Sequence, residues 1–191
     1  MIPPKIKFLL LAALFTAPLA GAALLYFAFP GLIPGGRLNY GTLIEPAQPL
    51  PALQLQDAAG VAVPDSVLKG KWSLVYLGGA ECREACRERL LLTRQVRLAL
   101  DKHSRRVQRV YLAPDAAAAA AAQTALAAEH HDLLFFADAS AQAAALFKPA
   151  DPEDLFLLDP LANWLMVYRG ALEHRELYRD LKKLLRFSQI G

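Results

Sequence analysis

Cysteine is scarce in this sequence, with Cys82 and Cys86 as the only two among 191 residues. One pair cannot form the network of bridges that staples small secreted domains, so that class of protein is excluded. The sequence also lacks a tract of Lys and Arg interleaved with aromatic residues, and its formal net charge is only +3. Nucleic acid is therefore not an expected partner.

Charged residues are absent from Phe8 to Phe29. At about 1.5 Å per helical residue, this run is long enough to cross the apolar core of a bilayer, which is about 30 Å thick. Residues 8–29 are therefore predicted to form a transmembrane anchor. A cleaved signal peptide is the alternative, with Ala20-Gly21-Ala22 as the small-residue cleavage site, although the apolar run of such peptides has only about 7 to 15 residues.

The charges that flank the apolar run differ on its two sides. Lys5 and Lys7 precede it, whereas the first charge after it is Arg37. By the positive-inside rule, residues 1–7 are predicted to lie in the cytoplasm. The chain is then a single-pass protein of the bacterial inner membrane, with its C-terminal part in the periplasm.

Proline and glycine are concentrated in residues 30–51, which hold five prolines and four glycines. Both residues interrupt regular structure, so neither a helix nor a central strand is expected there. The segment is predicted to be a linker or an extended arm that leads to a domain at residues 52–191. Residues 39–44 are a candidate for docking on that domain, and a plain spacer is the alternative.

Residues 52–191 alternate between strand and helix patterns. Short apolar runs bounded by turn residues predict strands, and apolar periods of three to four residues predict helices. The order predicts an α/β fold in which parallel strands are joined by helices and a terminal antiparallel hairpin is covered by a helix. The predicted strands are 53–55, 72–77, 107–112, 133–137, 155–158 and 164–168, and the predicted helices follow the cysteines, span 116–129 and 140–147, and end the chain around 177–185.

The two cysteines come directly after the predicted strand 72–77 and its terminal Gly78-Gly79. Within a regular helix, residues four apart have Cβ atoms about 5 to 6 Å apart, whereas a disulfide needs about 3.8 Å. Cys82 is therefore predicted at or before the N-cap of the next helix, and Cys86 in its first turns. Unpaired N–H groups and the helix dipole favour a thiolate there, so Cys82 is the predicted catalytic nucleophile and Cys86 its resolving partner.

Charges around this dithiol act in both directions. Three arginines would stabilise a thiolate, and three glutamates would oppose it. The arginines are Arg83, Arg87 and Arg89, and the glutamates are Glu81, Glu84 and Glu88. A structural disulfide without turnover is the alternative, although so short a loop constrains the unfolded chain little.

Residues 71–86, with their Cys82-x-x-x-Cys86 motif, resemble a segment of the Sco/SenC family, and residues 157–168 are similar to the hairpin of those proteins. Sco/SenC proteins are membrane-anchored, thioredoxin-like factors that help to assemble the copper centre of cytochrome c oxidase. The resemblance covers roughly residues 50 to 188. It implies a thioredoxin-like fold behind one N-terminal transmembrane helix, and Cu(I) bound through the metal ligands Cys82 and Cys86.

One position departs from the family pattern. Sco proteins also bind copper through a histidine just before a strand of the hairpin, and counting back from Asp159 places that position near Asp151. The chain has Asp151-Pro152-Glu153-Asp154 there and no histidine. Because Cu(I) prefers thiolate, thioether and imidazole ligands, the two cysteines alone are expected to hold copper weakly or in a different coordination.

The sequence therefore predicts a Sco-like assembly factor that acts on the cysteines of a cytochrome c oxidase subunit or another periplasmic thiol protein. It would do so by thiol–disulfide exchange, as an oxidoreductase, or by transient transfer of copper. The alternatives are a Cu(I) metallochaperone proper with an unforeseen third ligand, a non-catalytic interaction protein with a structural dithiol, and a thioredoxin-like reductase that serves cytochrome c maturation.

Two helix faces are basic, one after the cysteines and one at the end of the chain. We expect them to be solvated, and contact with anionic lipid or an acidic partner is the alternative. They comprise Arg94, Arg97, Lys102, Arg105 and Arg106, and Arg175, Arg179, Lys182, Lys183 and Arg186. His130 and His131 are expected to end the alanine-rich helix, where a cation complements the helix dipole.

Overall fold

The computed structural model describes residues 3–29 and 39–188, and the chain divides into two units, 1–38 and 39–191. The first unit holds helix α1, Pro4–Ala28. This helix is long and apolar enough to cross a membrane, with a mean hydropathy of 2.2 in its most apolar window. The predicted helix over 8–29 is therefore confirmed, and it starts earlier because a proline is well tolerated in a first helical turn.

The second unit follows the predicted order of elements. The predicted strands 72–77 and 155–158 are confirmed without any shift, and the other predicted elements are found with small shifts at their ends. Its strands are β1 Thr42–Pro49, β2 Leu55–Asp57, β3 Trp72–Leu77, β4 Val107–Ala113, β5 Leu133–Asp138, β6 Leu155–Leu158 and β7 Asn163–Tyr168, and its helices are α2 Glu84–Ala99, α3 Ala116–Leu126, α4 Gln142–Phe147 and α5 His174–Phe187.

The strands form one seven-stranded mixed sheet in the order β1-β7-β6-β3-β4-β5-β2. Strands β3, β4 and β5 are parallel, with Val75 opposite Val110 at the centre. Strands β6 and β7 form the predicted antiparallel hairpin, and β6 continues the sheet beside β3. The sheet places the end of β3, and the cysteines that follow it, in the middle of the domain.

The core lies on both faces of the sheet, because alternate residues of the central strands point to opposite sides. Leu74 packs on the face covered by α2, α3 and α5, and its neighbour Val75 packs on the face covered by α4. Five aromatic side chains of the strands are all buried in this core. They are Trp72, Phe135, Phe136, Phe156 and Trp164.

Of the two interpretations of residues 30–51, the linker is wrong for Thr42–Pro49 and the extended arm is right, because this segment forms the edge strand β1, antiparallel to β7. Proline is tolerated there because an edge strand has one side free of ladder hydrogen bonds, and the pairing shifts register between Leu43 and Gln48. Residues 30–38 of that prediction lie outside the described residues.

The start of β1 is fixed to the last helix. The backbone N–H groups of Tyr40 and Gly41 each donate to Asp180 Oδ2 at 2.9 Å, and Arg179 donates to the Tyr40 hydroxyl at 2.9 Å. Asp180 is itself buried. The polypeptide that leads from α1 therefore enters the domain at helix α5.

Candidate functional site

Cys82 and Cys86 form a disulfide across the start of α2, with their Cα atoms 5.2 Å apart. Cys82 lies in the loop just before the N-cap residue Arg83, and Cys86 lies in the first turn. The placement predicted from the spacing is confirmed. It follows from geometry, because only a residue outside the regular helix can bring its sulfur to one in the first turn.

The two sulfurs differ in access. Cys82 is half-buried, whereas Cys86 is 6% exposed and packs in the core that α2 shares with the sheet. Exchange with a partner requires access to the attacked or attacking sulfur. Cys82 is therefore the sulfur that a partner protein can reach, and Cys86 can reach only Cys82.

The helix start carries no side-chain cap, since Arg83 makes no capping hydrogen bond in the described structure. The first N–H groups of a helix otherwise have no partner, and they favour negative charge near them. The Arg87 side chain donates its Nε–H to the Cys82 carbonyl oxygen at 3.2 Å, which ties the cysteine loop to the helix. Arg83 pairs with Glu81 at 3.3 Å on the exposed surface.

The loop before the cysteines packs on Tyr111 of β4. The Tyr111 hydroxyl donates to the Gly79 carbonyl oxygen at 2.7 Å, and a Cβ at position 78 would overlap that hydroxyl. Burial, with a smaller contribution from Tyr76, raises the pKa of Tyr111 to about 12, so the phenol stays a neutral donor. Glycine at position 78 is required for this close approach.

The loop near Asp151, where the resemblance places a copper-binding histidine, is organised by carboxylates. Asp154 Oδ2 accepts the N–H of Ala150 and a guanidinium N–H of Arg169, both at 2.8 Å. Asp151 Oδ1 accepts the N–H of Glu153 at 3.0 Å, which turns the loop back on itself. The position at which the resemblance implies a histidine therefore lies in a loop that is held by acidic side chains.

Glu153 from this loop faces Arg89, one turn after Cys86 on α2, at 3.5 Å. Arg89 also donates to the Gly170 carbonyl oxygen. Burial lowers the pKa of Arg89, and the attraction of Glu153 opposes that shift. An ion pair between Arg89 and Glu153 therefore lies one helical turn from Cys86.

The side chains around Cys82 and Cys86 do not form a complete set of copper ligands. No cluster of three or more His, Cys, Asp or Glu side chains suited to a metal ion occurs in residues 3–29 and 39–188. The sulfurs of Cys82 and Cys86 are soft ligands of the kind Cu(I) prefers, but nearby oxygens are hard. The described residues therefore supply two of the three ligands that the family resemblance implies.

The expectation for His130 is wrong. Helix α3 ends at Leu126, and His130 is buried beyond it with its Nδ1 3.4 Å from Arg109 Nη2. Burial, and then the charge of Arg109, lower the pKa of His130, so it is not the cation expected at a helix end. His131 is exposed.

Sequence reasoning missed the contact of Gly78 with Tyr111 and the Arg89–Glu153 pair. The glycine pair at the end of β3 was a signal for close packing, and Arg89 stands three residues after Cys86 on the buried stripe of α2. A cavity of about 300 Å³ beside Gly78 and Gly79 had no signal in the sequence, because residues from three strands and α4 line it.

A disulfide between the loop after a central parallel strand and the first turn of the next helix defines a dithiol protein of thioredoxin-like fold. Residues 72–188, more than half of the chain, match the family described as transmembrane-like, thioredoxin-like, C-terminal domain. The chain belongs to this family. No curated protein matches its sequence.

Solved structures share the fold. Apo Sco1 from Thermus thermophilus is 20% identical, with a TM-score of 0.64 over 78% of this chain and 99% of that one. Copper-bound ScoI from Bradyrhizobium japonicum is 21% identical, with a TM-score of 0.55 over 71% and 99%. BsSco, described as a cytochrome c oxidase assembly protein with a disulfide switch, is 17% identical, with a TM-score of 0.55 over 74% and 96%. The resemblance to Sco/SenC proteins is thus confirmed in the fold.

Proposed function

We propose that this chain is a membrane-anchored thiol–disulfide exchange protein that acts on cysteines of a cytochrome c oxidase subunit during assembly of the oxidase. The observation that carries the proposal is the pairing of a half-buried Cys82 with a buried Cys86 at an uncapped helix start. The shared fold with proteins described as oxidase assembly factors supports the choice of client. The charges around α1 support a periplasmic domain on the inner membrane.

The reaction starts from the reduced dithiol. The Cys82 thiolate attacks one sulfur of a partner disulfide, a mixed disulfide forms, and one partner thiolate leaves. The Cys86 thiolate then attacks the Cys82 sulfur, which releases the second partner thiolate and closes the Cys82–Cys86 bond. Two electrons pass to the partner. A separate dithiol must then supply two electrons to reduce the Cys82–Cys86 disulfide again.

The test uses the full chain and two serine variants. Cys86→Ser should accumulate a mixed disulfide with an oxidised oxidase-subunit peptide, because nothing resolves it, and Cys82→Ser should form none and lose reducing activity. Disulfide-linked species are counted on non-reducing gels, and activity is followed by insulin reduction. Full activity of Cys82→Ser would refute the mechanism. Oxidase maturation in cells carrying the double variant would instead favour a non-catalytic interaction protein.

Transfer of copper to the same client is the second candidate, and the copper-bound structure of a protein with this fold is the observation in its favour. Copper is cargo in this scheme, and the reduced Cys82 and Cys86 would be its ligands. Because no cluster of three or more His, Cys, Asp or Glu side chains suited to a metal ion occurs among the described residues, we expect the reduced chain to lose Cu(I) to a competing chelator in an anaerobic titration. One tightly held equivalent per chain would establish a metallochaperone.

A further inference from the structure

Two basic helix ends meet in one groove, which we call the basic groove. It has a volume of about 600 Å³ and lies between the end of α5 and the short helix Asp101–Arg106 that follows α2. Lys102, Lys182 and Arg186 line it with exposed side chains. Asp101 is the one acidic residue that lines it in the described part of the chain. Each of the two basic faces identified in the sequence thus contributes two residues to this groove, Lys102 and Arg106 from one and Lys182 and Arg186 from the other.

Lys182 and Arg186 form no salt bridge with the described residues of the domain. Lys182 lies 5.3 Å from the centre of the Tyr178 ring, and the Arg186 guanidinium lies 5.8 Å from the centre of the Phe187 ring. Neither is within salt-bridge distance of a carboxylate in residues 39–188. Arg106 has a different role, since it donates to two carbonyl oxygens of the α5 end and so holds the walls of the groove together.

A large apolar side chain stands beside the cations. Phe187 is 74% exposed at the last residue of α5. Surfaces that bind a bilayer combine Lys and Arg, which contact headgroup phosphates, with aromatic side chains that enter the boundary of the acyl chains. An exposed phenylalanine beside the Arg186 guanidinium matches that combination.

The chain from the candidate membrane span enters the domain at this same helix, because Tyr40 and Gly41 are bound to Asp180 on α5. Residues 29–38 separate α1 from the described start of the domain. At about 3.5 Å per residue, ten residues reach at most about 35 Å, so anchoring of α1 keeps the domain close to a lipid surface. A lipid surface is therefore the polyanion that the basic groove meets at the highest local concentration.

We propose that the basic groove and the exposed end of α5 form a docking surface for the anionic phospholipid headgroups of the membrane that holds α1. The proposal rests on the anchoring of α1 and not on the dithiol chemistry. Loss of exchange activity and loss of docking are separate measurements, so either can fail alone.

The test places a fluorescent probe at the docking surface of the full chain. Phe187→Trp is reconstituted in vesicles of phosphatidylcholine alone, or mixed with phosphatidylglycerol, that contain brominated lipid as a quencher. The native Trp72 and Trp164 are buried in the domain and contribute a constant background. We expect quenching of the new tryptophan in the anionic vesicles, and little in phosphatidylcholine alone or at high salt.

Charge reversal gives the decisive comparison. Each Lys or Arg near an anionic surface strengthens association about five-fold, so Lys182→Glu with Arg186→Glu should abolish the quenching. Lys69→Glu with Lys71→Glu is the matched control, because both lysines are exposed, lie outside the groove and change the net charge equally. Leu161→Trp, 63% exposed in the β6–β7 turn, is the control probe and should stay unquenched.

Several results would overturn the proposal. They are equal quenching in both lipid mixtures, no quenching in either, or quenching that survives reversal of Lys182 and Arg186. Loss of quenching on addition of inorganic phosphate at constant ionic strength would also overturn it, because the groove would then bind a soluble anion. Exchange activity of the charge-reversed chain toward insulin should equal that of the unmodified chain, which shows that the domain is folded.

Discussion

Two arginines are buried, Arg89 on helix α2 and Arg109 on β4 facing that helix, and they differ in how completely their donors are matched. Arg109, 1% exposed, donates to Thr93 Oγ1 at 3.0 Å, to Asp132 Oδ1 at 2.9 Å and to the Leu90 carbonyl oxygen at 2.6 Å. A buried charge with such partners is compensated for its loss of water. Arg109 therefore joins α2, β4 and the start of β5 into one scaffold.

Arg89, 4% exposed, is matched less well. Its Nη2 donates to Gly170 and, at 3.5 Å, to Glu153, while its Nη1 has no hydrogen-bond partner in the described structure. Arg89 lies one turn from Cys86, and its Nη2 holds the loop before β6 through Glu153. The comparison teaches that α2 is bonded more firmly to β4, through Arg109, than to the loop before β6, through Arg89, so that loop is the easier part to displace.

The largest effect is expected from Arg109→Met. The substitution removes the buried hydrogen bonds of Arg109 to Thr93, Leu90 and Asp132 and should lower the free energy of unfolding by about 3 kcal/mol. Urea denaturation measures the change. Arg97→Met is the control, because Arg97 bonds the same Asp132 at 3.2 Å but is 23% exposed, and it should cost about 1 kcal/mol or less. Equal costs for the two variants would show that burial of Arg109 is not what matters.

A smaller effect is expected from Arg89→Met. Two hydrogen bonds are lost, Glu153 can regain water, and the unmatched donor disappears, so the cost should be about 1 to 2 kcal/mol. Hydrogen exchange at Ala150 and Asp151, whose N–H groups donate to Asp154, should become faster. A cost as large as that of Arg109→Met would contradict the comparison.

The smallest effect is the pH dependence that His130 adds to the Arg109 scaffold. Burial and Arg109 lower its pKa in the folded state, so the unfolded state binds the proton more readily. Stability should therefore fall as pH drops below about 6.5, the ordinary pKa of histidine, until the folded-state pKa is passed. His130→Gln should flatten this slope in urea titrations, and His131→Gln, at an exposed site, should keep it.

The dithiol could be located from sequence because its geometry is local. Disulfide distances and helical spacing leave one arrangement for cysteines four apart, and that arrangement is present. The helix α1 was predictable for the same kind of reason, since its length and lack of charge are read directly from consecutive residues.

Features that depend on distant residues could not be predicted. Arg109 bonds a residue 23 positions away in sequence, and an arginine in a strand is ordinarily assigned to the solvent face. Strand β1 was hidden by its prolines, because its pairing partner β7 lies more than a hundred residues later. The two basic faces were visible in the sequence, but only the packing of α5 beside the short helix Asp101–Arg106 shows that residues from both line one groove.

The carboxylate of Asp180 has a mechanical consequence. Any force applied to the chain before residue 39 first loads the two backbone hydrogen bonds from Tyr40 and Gly41, and then the β1–β7 ladder behind them. Tension would be taken up at the sheet edge and the last helix. The strand that carries the dithiol loop lies three places further into the sheet and would stay unstretched.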